Sequence, residues 1–280
     1  MPSVIGTSPT YVLYLSDGAL AWSYTIGAIV SDSGPPAVEA GNGMSHTVIL
    51  NSSTEAIRND WRLAAKLIDH TLLKPDGTHA QVAALCREAA EYGFYSVMVN
   101  PSNIAQCKAE LRGTSVVVGT VIGFPLGATT STSKLAEASD SLRLGATELD
   151  MVINVGALKS GDRDLVQMEM QSLVHLCHRS GALLKVIIET ALLTTEEKIL
   201  ICQLAAAVEV DFVKTSTGFS TAGATAADVS LMRGVVGNKI GVKAAGGIRT
   251  AENLLAMVDA GANRVGASAS VAIVKALGAK

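Results

Sequence analysis

Lys214 and Lys243 stand 29 positions apart, each closing a short apolar run just before a turn of small residues. The first lies in Asp211-Phe212-Val213-Lys214-Thr215-Ser216-Thr217-Gly218-Phe219, the second in Gly241-Val242-Lys243-Ala244-Ala245-Gly246-Gly247-Ile248-Arg249. A lone ammonium is costly to bury. Two amines held close together disfavour each other's protonation, so one of them can be neutral near pH 7. A neutral amine attacks a carbonyl carbon and forms a Schiff base. The pair therefore points to carbon–carbon bond chemistry that runs through an imine, of the class I aldolase type.

Asp150, in Glu148-Leu149-Asp150-Met151-Val152-Ile153-Asn154, is the carboxylate that suits such an amine. An inward carboxylate beside an amine can shuttle protons; it can equally do no more than neutralise a buried lysine. Lys185 and Glu189, four apart in a strand, share a face and read as an ion pair or as part of the site. Gly246-Gly247 lets the backbone approach an anion closely and offers N–H donors, although a glycine pair alone is as often a tight turn. Gly266-Ala267-Ser268 lies ahead of a short helix whose N-terminus favours negative charge. Thr217-Gly218 adds an edge to the same anion site.

These residues need strands to present them. Apolar runs at 67–70, 96–100, 116–124, 148–155, 183–189, 211–215, 240–244 and 264–267 alternate with helical stretches at 80–92, 134–144, 163–179, 195–208, 226–236 and 251–260. Glycine stops follow several helices, at Gly93, Gly145, Gly181, Gly237 and Gly261. Eight strand-then-helix units in roughly 220 residues predict an α/β fold, a (β/α)8 TIM barrel. The runs are continuously apolar, as in strands covered on both faces. An open doubly wound sheet competes, but no G-x-G-x-x-G turn follows the first strand. In a barrel the working residues stand at the C-terminal strand ends, with phosphate held after strands seven and eight. The first strand ends in Asp69-His70-Thr71-Leu72-Leu73-Lys74 and the third in Gly123-Phe124-Pro125-Leu126-Gly127.

The bulk composition agrees. The chain has 280 residues, 49% of them hydrophobic, enough for one large core. A net charge of −3 and 4% aromatic residues give no footing for nucleic acid or an anionic membrane. Cys86, Cys107, Cys177 and Cys202 form no C-x-x-C pair and read as reduced thiols of a cytoplasmic protein. Cys177 with His175 and His178 reads as a helix surface rather than a metal site. Residues 1–55 hold no Lys or Arg and are rich in Gly, Ser, Thr and Pro. They lack the basic start of a secretory signal and the arginines of a transit peptide, and their apolar pieces are too interrupted to span a membrane. The expectation is a poorly ordered extension, residues 1–55, ahead of a barrel domain, residues 56–280; Met44 could be the true start.

From about residue 60 onward the chain resembles deoxyribose-phosphate aldolases. The resemblance is carried, in order, by Ile68-Asp69-His70-Thr71-Leu72-Leu73-Lys74-Pro75, Val121-Ile122-Gly123-Phe124-Pro125-Leu126-Gly127, Glu148-Leu149-Asp150-Met151-Val152-Ile153-Asn154, Lys185-Val186-Ile187-Ile188-Glu189-Thr190, and the segments around Lys214 and Lys243. It implies a class I aldolase with no metal and no cofactor. The reaction would be reversible cleavage of 2-deoxy-D-ribose 5-phosphate to acetaldehyde and D-glyceraldehyde 3-phosphate. By this resemblance Lys214 is the Schiff-base nucleophile. Lys243 lowers its pKa and helps move protons. Asp150 is the acid/base that works through a water. Gly246, Gly247, Gly266 and Ser268 hold the phosphate, and Asp69 and Thr71 shape the site. A homodimer suits the resemblance and the prevalence of two-fold pairs.

Three positions depart from the commoner pattern. Met98 stands where a cysteine is frequent, Ala245 where a serine is frequent, and Ala269 where a second serine can follow Ser268. Two other readings compete with the aldolase: a transaldolase-like barrel acting on another phosphorylated sugar, and a phosphosugar-binding regulatory barrel. The Thr215-Ser216-Thr217-Gly218 turn and the second lysine favour the first reading over the transaldolase. A regulatory barrel has no need of both lysines and Asp150.

Overall fold

The computed structural model describes residues 10–14, 20–25 and 52–280. Two units emerge, residues 1–44 and residues 45–280. In the first, β1 (Thr10–Tyr14) and β2 (Leu20–Thr25) pair antiparallel, with Thr10 opposite Thr25 and a register shift at Leu13/Tyr14. The expected poorly ordered extension thus contains a two-stranded ribbon. Residues 1–9, 15–19 and 26–51 of it, Met44 included, lie outside the described residues. Its last two residues, 54 and 55, belong to a helix of the second unit.

That second unit is the barrel. Eight parallel strands close on themselves in chain order: β3 (Ile68–Leu72), β4 (Ser96–Val99), β5 (Val117–Ile122), β6 (Glu148–Val152), β7 (Leu183–Ile187), β8 (Phe212–Lys214), β9 (Gly241–Ala245) and β10 (Arg264–Ala267), with β10 paired to β3. Helices α1 (Thr54–Asn59) and α2 (Trp61–Ala65) precede the first of them. The outer ring holds α3 (His79–Tyr92), α4 (Ile104–Glu110), α5 (Ser131–Arg143), α6 (Val155–Lys159), α7 (Arg163–Arg179), α8 (Thr195–Ala207), α9 (Ala226–Val236), α10 (Ala251–Asp259) and α11 (Ser270–Ala276).

Local chemistry sets these boundaries. Thr78 with Gln81 and Thr194 with Glu197 form capping boxes at the starts of α3 and α8. Thr130, Asp162, Thr225 and Thr250 cap four more helices with side-chain oxygens. All five glycine stops read from the sequence have positive φ, Gly93 among them as the left-handed cap of α3.

Five strands, β4 to β8, are shorter than the apolar runs suggest, and in three of them the cause is visible. Gly123 turns the chain after β5 with φ 63°. Asn154, placed in the fourth run, instead caps α6 by accepting from the Ala157 N–H at 3.0 Å. Glu189, placed in the fifth, sits at φ 57° and leads into a 3-10 turn. Helix α4 has little apolar periodicity and follows a Pro101–Asn103 turn, so the sequence pattern passed over it.

The main core lies between sheet and helices. Outward residues such as Ile68, Val97, Leu149, Met151, Val186, Val213, Val242 and Val265 pack there with Leu85, Val166, Leu173, Ile201, Met232 and Leu254. Burying surfaces of this kind contributes roughly 25 cal/mol per Å². The inward residues differ from the continuously apolar expectation. Alternation along each strand turns Asp69, Glu148, Asp150, Lys185, Lys214, Lys243 and Arg264 to the interior, all buried. A small apolar cluster, Leu73, Met98 and Val121 with Phe124 against it, fills another part of the structure.

The loop after β5 is held by its backbone. The Gly127 N–H donates to the Gly123 carbonyl at 2.7 Å, and Gly127 has φ 66°. A Cβ there would lie 2.0 Å from the Ile153 carbonyl oxygen, which leaves no room for a side chain at the end of β6. Replacing Gly127 by alanine should lower stability by at least about 2 kcal/mol, seen as an earlier midpoint in chemical denaturation. An unchanged midpoint would contradict this close approach.

Candidate active site

The strands bring the charged interior to one place, from Glu148 and Arg264 at the first positions of β6 and β10 to Lys214 at the last of β8. Lys214 and Lys243 are direct cross-strand neighbours between β8 and β9, and Asp150 and Lys185 between β6 and β7. Asp150, fully buried, is the hub. Its Oδ1 accepts from Lys185 Nζ at 2.8 Å, and its Oδ2 from Lys214 Nζ at 2.8 Å and Lys243 Nζ at 2.7 Å. Lys243 Nζ also donates to Asp69 Oδ2. Asp69 Oδ1 accepts from Ser96 Oγ at 2.7 Å and Arg264 Nη1 at 2.9 Å. Below them Glu148 Oε2 binds Lys185 Nζ at 2.6 Å and Arg264 Nη1 at 2.9 Å. The Arg264 guanidinium lies 3.5 Å from the Tyr95 ring centroid, a cation–π contact that fixes its plane.

This cluster holds three carboxylates, Asp69, Glu148 and Asp150, and four basic groups, Lys185, Lys214, Lys243 and Arg264. Four positive charges against three negative ones in a dry interior favour loss of one proton. Lys214 is where that proton is most easily lost. Burial pushes its pKa down from the ordinary lysine value to about 8, with Lys243 and Lys185 adding to the fall and Asp150 opposing it. Desolvation thus outweighs the like-charge effect that the sequence alone suggested. Asp150 goes the other way. Burial alone would raise its pKa, but the ammonium groups of Lys185, Lys214 and Lys243 hold it well below the usual carboxylate range. Lys185 is pushed up by Asp150, Glu148 and Asp69 in spite of its burial. The site therefore pairs a lasting anion with one amine that is partly neutral at physiological pH. Such an amine can form an imine with an aldehyde.

Above Lys214 opens a cavity of about 370 Å³. Of the residues singled out from the sequence, Lys214, Thr71, Thr217, Gly246, Gly247, Gly266 and Ser268 line it. Asp69, Asp150 and Lys243 do not reach it and lie in the buried cluster beside the amine. The rim is built by loops that touch through their backbones. A Cβ on Gly223 would meet the Gly246 carbonyl oxygen at 2.2 Å, and the Ala224 N–H donates to that carbonyl at 3.0 Å. The loops after β8 and β9 thereby form one wall. The Thr71 hydroxyl donates to the Asp69 carbonyl at 2.8 Å. The Thr217 hydroxyl donates to Glu189 Oε2 at 2.6 Å, so it orders the loop rather than facing the cavity as a free donor.

Of the two alternatives for Lys185 and Glu189, the ion pair does not form: Lys185 serves Asp150 and Glu148, and Glu189 serves Thr217. The left-handed turn at Glu189 takes it off the strand face. Glu148 and Arg264 escaped the sequence reading as site residues. Alternation from Asp150 could have found Glu148, two positions earlier, but the partnership with Arg264 depends on barrel closure. Lys74 and Arg249 also line the cavity mouth, a charge contribution that their exposed positions at loop starts did not signal. Among the described residues, no group of three or more His, Cys, Asp or Glu is arranged to hold a metal ion.

Comparison with known proteins places this geometry in context. The model of the DeoC/LacD family aldolases matches residues 63–277. A deoxyribose-phosphate aldolase of Listeria welshimeri is 56% identical over 210 residues, covering 75% of this chain and 94% of the relative. One of Aciduliprofundum boonei is 52% identical over 218 residues, covering 78% and 98%. Among solved structures, the deoxyribose phosphate aldolase of Aeropyrum pernix, described as tetrameric, superposes with a TM-score of 0.72 at 35% identity over 76% of this chain and 90% of that one.

The Lys214 amine should titrate near pH 8, read from the pH dependence of its labelling by an acylating reagent and mapped by mass spectrometry. In Lys243→Leu the midpoint should move upward, because a neighbouring positive charge is removed. A midpoint unmoved by that change would take Lys243 out of the control of Lys214.

Proposed function

The chain belongs to the DeoC/LacD aldolase family, and from that premise we propose that it is a class I aldolase acting on 2-deoxy-D-ribose 5-phosphate. It cleaves this sugar reversibly to acetaldehyde and D-glyceraldehyde 3-phosphate. The observation that carries the reading is the Lys214 amine, lowered to about 8 and set in the wall of a cavity rimmed by glycine loops.

The steps follow from these groups. Neutral Lys214 Nζ adds to C1 of the open-chain aldehyde, and loss of water gives a protonated imine. The imine is an electron sink one bond from C2. When the C3 hydroxyl loses its proton, the C2–C3 pair flows into the imine, leaving an enamine on Lys214 and releasing glyceraldehyde 3-phosphate. Asp150 takes that proton through an intervening water and returns it to C2; hydrolysis then frees acetaldehyde. Lys243, bonded to Asp69 and Asp150, helps burial to lower the pKa of Lys214 and assists the transfer. Lys185 and Arg264 hold the carboxylates in place.

The phosphate lies against the backbone of Gly246, Gly247 and Gly266 and the hydroxyl of Ser268, with Thr217 fixing one edge and Thr71 and Asp69 shaping the amine's surroundings. Lys74 and Arg249 add positive charge at the mouth. Phosphate binding, remote from the breaking bond, can be used to orient the sugar. The four cysteines are free, with Cys86 and Cys107 in hydrogen-bonding reach of each other, which suits a reducing, cytoplasmic location. No helix among the described residues is long and apolar enough to cross a membrane. The tetrameric description of the Aeropyrum pernix relative supports assembly into homo-oligomers, of which a homodimer is the simplest.

Lys214→Ala should lower turnover of deoxyribose 5-phosphate by about 10⁴-fold or more. Ser268→Ala should raise KM for the phosphorylated sugar about fivefold and leave unphosphorylated deoxyribose unaffected. Turnover retained by the lysine variant would refute the imine mechanism. Equal losses on both sugars would remove Ser268 from phosphate binding.

A further inference from the structure

His70 lies outside the reaction just described, yet it is tied to the loop that the phosphate reading depends on. It follows Asp69 on β3, so where Asp69 faces the charged interior, His70 faces the helices. In the sheet it sits directly beside Ala267 of β10. The ring is almost fully buried, with Phe94 at a centroid distance of 5.0 Å.

Both ring nitrogens are engaged. Nε2 meets Glu88 Oε2 on α3 at 2.8 Å, and Nδ1 meets Ser270 Oγ, the first residue of α11, at 2.9 Å. Ser270 Oγ also lies 2.9 Å from the Ala267 carbonyl. A hydroxyl has one proton. A neutral imidazole also has one, and the Glu88 carboxylate, which can only accept, draws it to Nε2. Nδ1 is then an acceptor, and the Ser270 hydroxyl, lying between Nδ1 and the Ala267 carbonyl, can donate to either. A chain of polar contacts therefore runs from a half-exposed carboxylate on the outside of α3, through a buried imidazole, to the carbonyl of Ala267. The charged group meeting the ring is Glu88; from β10 and α11 the ring meets only the Ala267 carbonyl and the Ser270 hydroxyl among the contacts given, and burial pushes its pKa below the ordinary histidine value.

Ala267 and Ser268 line the cavity, and Ser270 closes their turn from behind. We propose that His70 is a positioning residue for phosphate binding: through Ser270 it holds the 266–268 turn in the shape that grips the substrate's phosphate. The inference rests on the assignment of that turn to phosphate. His70 touches neither sugar nor amine, so its influence falls on affinity for the phosphorylated end and not on the bond that breaks.

Asparagine can place its amide oxygen near the position of Nδ1, to accept from Ser270, whereas alanine cannot, and this separates bonding from packing. In steady-state kinetics, His70→Ala should raise KM for deoxyribose 5-phosphate about fivefold, with kcat within about twofold of the parent. His70→Asn should restore most of the lost affinity. Ser270→Ala, which removes the link without touching the imidazole, should behave as His70→Ala does. KM for unphosphorylated deoxyribose should stay unchanged in all three.

Equal impairment of both sugars, a fall in kcat alone, or an asparagine variant no better than alanine would overturn the role. The parent's own preference tests the underlying reading separately. A parent enzyme that binds deoxyribose as well as its phosphate would remove the phosphate assignment and this inference with it.

Discussion

Everything chemical in this barrel depends on one buried carboxylate. Asp150 accepts from three lysine ammonium groups and has no exposure of its own. A carboxylate so deep would ordinarily be protonated, and three lysines so deep would ordinarily be neutral. Together they keep most of their charges, because removing any one leaves the others uncompensated in a medium of low dielectric. The arrangement is one positive charge in excess once Arg264, Asp69 and Glu148 are counted. Lys214 lines the cavity and pairs with Asp150, whereas Lys185 and Lys243 each meet further carboxylates, and burial lowers its pKa. On the proposed mechanism the nucleophile is made by its surroundings and not by any feature of the lysine itself.

The fold divides this work between strands and loops. Strand interiors supply the fixed charges, where neighbouring backbones lock each side chain against its cross-strand partner. Loops supply the cavity rim, where glycine allows backbones to come within contact of one another, as Gly223 does with Gly246. Rigid placement suits the reacting amine, whose geometry sets the barrier. Backbone donors and a serine suit a phosphate, whose recognition asks for many weak contacts over one end of the sugar.

Much of this was legible beforehand, for physical reasons. Eight strands showed as apolar runs because their outward residues pack on helices, and five helix stops showed because only glycine takes the left-handed turn without strain. Lys214, Lys243 and Asp150 were legible because a charged residue inside an apolar run needs an explanation. Arg264 and Glu148 were not legible as partners: they lie on strands far apart in sequence and meet only once the barrel closes. Of the two readings for Lys185, a place among the site's charges agrees with its bonds to Asp150 and Glu148, while the pair with Glu189 does not form, because spacing assumes a strand that continues, and this one ends before the left-handed turn at Glu189. The ribbon of β1 and β2 went unseen because its short runs are framed by turn residues that read equally well as loose chain.

The most direct test is reduction with borohydride in the presence of acetaldehyde, followed by peptide mapping of the intact protein. The account requires a single ethyl group on the nitrogen of Lys214, formed more readily as pH rises through the region near 8. An ethyl group on Lys243 or Lys185 instead, or no adduct on a folded protein, would contradict the claim that burial beside Asp150 makes Lys214 the nucleophile.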